Sequence, residues 1–146
     1  MASAVREASI GDAPISVDRL LRLVQEPAVG GIALFVGVVR DHDEGQGVRS
    51  LDYTAHPSAV AALTACAERV AEAHDVLTVA VEHRVGHLEV GDLAVVVATG
   101  AVHRAEALAA CRQLIDDLKA EVPIWKEQAF AGGDVEWVGL PAADPS

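Results

Sequence analysis

The sequence is poor in cysteine, lysine and positive charge, and each shortage narrows what the chain can do. Its 146 residues include two cysteines, Cys66 and Cys111. They are far apart, and each sits in an apolar stretch of helical pattern. They read as small core residues, not as a disulfide framework or a metal site. No apolar run approaches the roughly 20 residues of a membrane-spanning helix, and no N-terminal signal peptide is visible. A cytoplasmic location is therefore expected. The formal net charge is −11. Phosphate backbones are bound through a basic face, so nucleic acid is excluded as a general partner. A small anion can still be held where a few positive groups converge in a cleft. There is no GxSxG nucleophile elbow. The glycines of GGIALFVG (30–37) lack the strand–GxGxxG–helix context of a dinucleotide site.

The scarcity of lysine is the most informative. Nine of the eleven basic residues are arginine, and the two lysines, Lys119 and Lys126, fall in one segment, KAEVPIWK. Arginine replaces lysine at little cost on a solvated surface. It cannot replace an amine that must release a proton, attack a carbonyl or act as a compact charge. The bland alternative is a genome that favours arginine codons. Nearby Asp116, Asp117, Glu121 and Glu127 offer a second bland alternative, in which they pair with the lysines and keep them protonated. Convergence of both lysines with Arg40 on one cleft would do the opposite and ready an amine for chemistry.

What is plentiful is apolar residue, 51% of the chain. That excludes disorder and suits one domain, expected over residues 1–140 with a disordered tail at 141–146. The first dozen residues have little pattern and are expected to fray or to form one short edge strand. Ser16 is a candidate N-cap for a short helix ending near Pro27. GGIALFVGVVR (30–40) reads as a buried strand, DHDEGQG (41–47) as a mobile loop and VRSLDYT (48–54) as a strand. Pro57 opens a predicted helix of about 18 residues with Val60, Leu63, Ala67, Val70 and Ala71 along one stripe. VLTVAVEHR (76–84) and LAVVVATGAV (93–102) read as strands, with a turn at 85–92. His103 to about Ala120 reads as a helix with Leu108, Cys111, Leu114, Ile115 and Leu118 inward, ended by Pro123. AGGDVEWVG (131–139) closes the pattern as a turn and strand. The mixture of hairpins and crossovers predicts a two-layer α+β domain with a mixed or antiparallel sheet.

Several basic residues sit at element ends. Arg40 ends a strand, His103 and Arg104 open a helix where free N–H groups favour an anion, and Lys126 lies in a segment expected to be irregular. A solvated first-turn role is the alternative for Arg104. Two weaker metal candidates, the His83/His87 pair and the acidic run Asp41, His42, Asp43 and Glu44, lack a ligand spacing that favours metal over solvation.

Read together, GGIALFVGVVRDHDEG, HRVGHLEVGD, AVHRAEAL, DDLKAEVPIWKEQ and the closing WV at 137–138 resemble the large, catalytic subunit of molybdopterin synthase in order and spacing. The resemblance covers roughly residues 30 to 138. It implies an α/β hammerhead fold and a homodimer that binds two small ubiquitin-like sulfur-carrier subunits. The implied reaction is transfer of two sulfurs, from the carrier's thiocarboxylated Gly-Gly tail, to cyclic pyranopterin monophosphate. By position, Lys119 and Lys126 match essential lysines. Val38, Val39, Arg40, His103, Arg104, Glu127 and Gln128 match substrate-binding positions. No metal or redox cofactor is implied, because the sulfur arrives on the partner. DYTAHPSAV departs from the family's usual stretch before the first long helix, and the C-terminal tail lacks basic residues.

One expectation goes beyond the resemblance. At 1.5 Å per residue, an unbroken helix over 103–119 separates Arg104 from Lys119 by about 22 Å. A single pterin phosphate does not span that. A composite site follows, with Lys119, Lys126 and Arg40 from one protomer and His103 and Arg104 from its mate. Three other readings predict different behaviour. A non-catalytic module binding an anionic metabolite or a carrier protein needs only charge at 119. A Schiff-base lyase would form a reducible adduct on Lys119 without a protein partner. A purely structural oligomer leaves the clustered lysines unexplained.

Overall fold

A computed structural model describes residues 3–43, 46–130 and 135–138. The elements run β1 (Val5–Gly11), α1 (Val17–Leu23), β2 (Gly31–Val38), β3 (His42–Asp43), β4 (Gln46–Ala55), α2 (Ala59–Ala73), β5 (Thr78–Arg84), β6 (Gly86–Glu89), β7 (Leu93–Ala101), α3 (Arg104–Glu121), β8 (Ile124–Phe130) and β9 (Val135–Val138). They form two sheets. The first has the order β1-β5-β7-β2, with β1 parallel to β5 and the other pairs antiparallel. The second has the order β3-β4-β8-β9, with β6 on the other edge of β4. This is the mixed α+β arrangement expected.

The first sheet is apolar on both faces, which is why β7 reads as an unbroken apolar run. Val79, Val81, Val95 and Val97 meet α2 and α3, while Ala80, Val96 and Ala98 meet Leu20 and Val24 of and beside α1. A separate cluster of Val39, Val48, Leu51, Leu88, Ala94 and Phe130 underlies the second sheet. Tyr53 packs against both this cluster and the main core, so it marks the seam between the sheets. α1 is capped as expected, the Ser16 hydroxyl accepting from Arg19 N at 3.2 Å. Cys66 and Cys111 are buried free thiols, as the sequence implies.

Of the two outcomes expected for the first residues, the edge strand is the one observed, with β5 as neighbour. The structure corrects several other expectations. The segment read as a mobile loop carries the β3–β4 hairpin, His42 facing Gly47; residues 44–45 lie outside the described residues. The turn at 85–92 contains strand β6, paired to β4 from Ser50 to Tyr53. The segment read as irregular is β8, seven residues long. α2 is 15 residues, not 18, because Pro57 lies two residues before its first turn. Val60 and Leu108 are exposed, Leu108 by 60%. The buried stripe of α3 is turned toward Ala107 and Ala110, which rest on the sheet, and the described residues place no strand beyond β2 to cover Leu108. The expected tail at 141–146 and the turn at 131–134 lie outside the described residues. Among the described residues no helix is long and apolar enough to cross a membrane.

Candidate active site

The two lysines are joined by an abrupt change of secondary structure. α3 runs unbroken from Arg104 to Glu121, with Lys119 exposed in its last turn. Val122 leaves the helix with φ −89° and ψ 121°, the extended conformation that a following proline imposes. Pro123 is thereby placed to accept from His56 N at 3.0 Å, and the chain re-enters the second sheet as β8. Lys126 is the third residue of that strand, opposite Tyr53 on β4 and Val138 on β9.

Strand alternation sorts the next three residues. Lys126 and Gln128 lie on the face that carries Tyr53 and Leu51, and Gln128 is 2% exposed. Glu127 lies on the other face, where its neighbours across the sheet are Asp52 and, one strand further, His87. On that outer face the His87 ring lies 3.1 Å from both Asp52 and Glu89. The two carboxylates, Glu89 first, raise the imidazole above its ordinary value. The Lys126 and Glu127 side chains therefore serve different faces of one strand.

The carboxylates close to Lys119 in sequence are occupied by arginine. Arg69 of α2 reaches Glu121 at 2.6 Å and Asp117 at 3.4 Å, tying the two helices together. Asp116 faces Arg112 one turn back at 3.8 Å. Residues two apart on a helix do not face each other, so Asp117 and Glu121 point away from Lys119. This disposes of the pairing that would have made the lysine an ordinary surface ion-pair member.

Two residues that sequence reasoning did not place here line the seam beside the lysines. His83, at the end of β5, is 6% exposed and donates its Nδ1–H to the Arg84 carbonyl at 2.7 Å. Its ring meets Tyr53 edge to face, centroids 5.0 Å apart. Burial lowers the imidazole to about 4, the bond to Arg84 opposes this, and the Lys119 charge adds to it. Burial likewise pushes the Tyr53 hydroxyl up to about 12. Both side chains are neutral at physiological pH. His83 had signalled itself only as half of an unconvincing metal pair with His87, which the fold sends to the second sheet's outer face.

The remaining candidates divide between two ends of the molecule. Val38 is 51% exposed at the end of β2, Val39 is 3% exposed in the cluster beneath the second sheet, and Arg40 is exposed just beyond them. His103 and Arg104 are exposed at the other end of β2, where a Cβ on Gly31 would lie 3.5 Å from the Arg104 backbone. One chain does not bring Arg104 to Lys119, since the continuous helix holds them about 22 Å apart.

A family model described as MoaE protein matches residues 10–121. The chain belongs to the MoaE family. The matched span holds Arg40, His103, Arg104 and Lys119 and stops short of Lys126. Molybdopterin synthase catalytic subunit 1 of Mycobacterium tuberculosis is 47% identical over 129 residues, 88% of this chain and 87% of that protein. The molybdopterin synthase catalytic subunit of a Nostoc species is 38% identical over 136 residues, 92% and 82% of the two chains. Among solved structures, molybdopterin synthase from Staphylococcus aureus superposes with a TM-score of 0.84 at 28% identity, covering 89% of this chain and 95% of that one. The MoaE fold thus accounts for both sheets and the helix that carries Lys119.

Proposed function

We propose that this chain is the catalytic subunit of a molybdopterin synthase. It converts cyclic pyranopterin monophosphate to molybdopterin in the cytoplasm by two sulfur transfers from a small carrier protein. As a MoaE-family member whose curated relatives carry that enzyme's name, it acts in molybdenum cofactor biosynthesis. The observation that carries the catalytic part is local. The chain's two amines emerge at one seam between sheets, beside neutral Tyr53 and His83, while arginines take the carboxylates near Lys119. A seam of this kind suits the extended Gly-Gly tail of a ubiquitin-like carrier, with Lys119 as general acid/base or transient covalent partner and Lys126 as substrate anchor. No protein-bound cofactor enters the scheme.

The substrate phosphate is held by His103 and Arg104, whose helix start supplies free N–H groups, and these residues come from a second copy. β2 is the outer strand of its sheet and exposes Ile32, Leu34 and Phe35, with Val102 and Leu108 exposed at the neighbouring helix start. A two-fold pairing through this edge would set the Gly31 end of one β2, with its Arg104, near the Val38–Arg40 end of the other. The assembly is then a homodimer with one carrier at each end. Mixing a Lys119→Arg chain with an Arg104→Ala chain tests the shared site. Composite sites recover activity in mixed dimers and self-contained sites do not.

The function itself is tested by single-turnover conversion of cyclic pyranopterin monophosphate with thiocarboxylated carrier, comparing wild type with Lys119→Arg. Turnover that the substitution abolishes while the complex still forms supports a sulfurtransferase that needs the amine. Tight carrier binding without wild-type turnover supports a non-catalytic binding module. Function retained by Lys119→Arg argues for charge alone.

A further inference from the structure

His83 has no part in the scheme above, yet its surroundings give it one. The Arg84 carbonyl can only accept, so the 2.7 Å contact fixes the proton on Nδ1 and leaves Nε2 as a lone-pair acceptor. The ring is clamped by Tyr53 at the seam of the two sheets, and Tyr53 in turn faces Lys126 across β4 and β8. A buried imidazole held neutral by its bonding and packing is expensive to place, and structure alone would be served by an apolar ring. The Lys119 ammonium lies near enough for its charge to act on this imidazole. It has no competing ion pair among the described residues, since Arg69 and Arg112 hold the adjacent carboxylates.

We propose that His83 is a positioning residue of the sulfur-transfer centre. Its Nε2 accepts a hydrogen bond from the Lys119 amine when the carrier tail fills the seam, and so aims that amine at the transferred group. The proposal rests on the sulfurtransferase reading. It concerns a hydrogen bond to a neutral ring and requires no protonation of His83.

The geometry distinguishes replacements. Asparagine can reproduce the bond to the Arg84 carbonyl but is too short to reach the Nε2 position. Glutamine reaches that position with an amide oxygen. Phenylalanine keeps the ring and loses the acceptor. The experiment measures single-turnover rate and carrier affinity for His83→Phe, His83→Asn and His83→Gln in the assembled complex. It also measures the rate at which an amine-acylating reagent labels Lys119 and Lys126, read by peptide mass spectrometry. Expected are a rate loss of about tenfold or more in His83→Phe and His83→Asn, partial recovery in His83→Gln, and carrier affinity within about twofold throughout. Labelling of Lys119 should change several-fold in His83→Phe and that of Lys126 should not. Equal rates in all variants, or losses that track thermal stability alone, overturn the proposal. Should His83→Phe fail to fold, the Asn and Gln pair decides, because Asn keeps the bond to the Arg84 carbonyl and Gln the acceptor at the Nε2 position, so a structural role favours Asn and the positioning role favours Gln. Wild type that never turns over removes the sulfurtransferase reading, whereas unchanged Lys119 labelling removes the role of His83.

Discussion

Acid should weaken this fold through one side chain. Burial holds the His83 imidazole at about 4, whereas a histidine in an unfolded chain titrates near 6.5. As pH falls, the unfolded chain takes up this proton first. The stability that a neutral His83 confers is therefore complete above about 6.5 and drains away between there and about 4. At 1.36 kcal/mol per pKa unit the full loss approaches about 3 kcal/mol, a large share of the 5–15 kcal/mol that keeps a typical domain folded. His83→Gln cannot titrate, so it isolates this contribution. Urea unfolding of wild type and variant at pH 7.5, 6.5, 5.5 and 4.5 should show wild type losing roughly 2–3 kcal/mol more than the variant across the series. Carboxylates and other histidines titrate alike in both proteins and cancel in the difference. A wild-type-minus-variant difference that stays flat from pH 7.5 to 4.5 would refute the reasoning, because His83 would then be hydrated or already protonated in the folded chain.

Other perturbations follow from particular contacts. A Cβ at Gly100 would run into the Thr78 hydroxyl, which donates to Val24 O at 2.8 Å, so Gly100→Ala should destabilise by about 1–3 kcal/mol in thermal or urea unfolding. Glu7 receives both arms of Arg19, at 2.7 and 2.6 Å, and that bonding lowers its carboxyl below the ordinary range. Glu7→Gln should therefore cost about 1 kcal/mol at neutral pH, after discounting for the exposed arginine. Because the folded value lies below the unfolded one, this difference should shrink as pH falls from about 4.5 through the folded value, as paired unfolding curves would show. Leu88 is fully buried beneath the second sheet, and Leu88→Ala should cost about 2–5 kcal/mol in the same assay.

The sequence was most legible where one physical rule dominated. Ser16 capped its helix, the apolar run at 93–101 became a doubly buried strand, and Pro123 ended α3 by forcing Val122 out of the helical region. It was least legible where partners distant in the chain decided. IWKEQAF became a strand because β4 and β9 flank it, although the charged pair at its centre conceals the period of two. GHLE paired with β4 despite its glycine and short length. The extent of α3 was readable, and with it the separation of Arg104 from Lys119. What periodicity could not show was which carboxylates were already occupied, since Arg69 reaches them from a helix some 50 residues earlier. Nor could it show that His83 and Tyr53 would meet between the lysines.

The switch from α3 into β8 has a consequence for the segment's length. Surface connections usually tolerate an added or lost residue, but here each side of the connection is phased differently. Lys119 is set by a helix of 3.6 residues per turn and Lys126 by a strand of period two. Deleting one residue between Glu121 and Lys126, with the β4 pairing kept, would turn Lys126 to the outer face and bring Glu127 into its place beside Tyr53. A cation at the seam would become a carboxylate, with no change in which residues the protein contains. The interval between the lysines is thus a gauge as much as a sequence, and among proteins built this way it should vary in composition far more freely than in length.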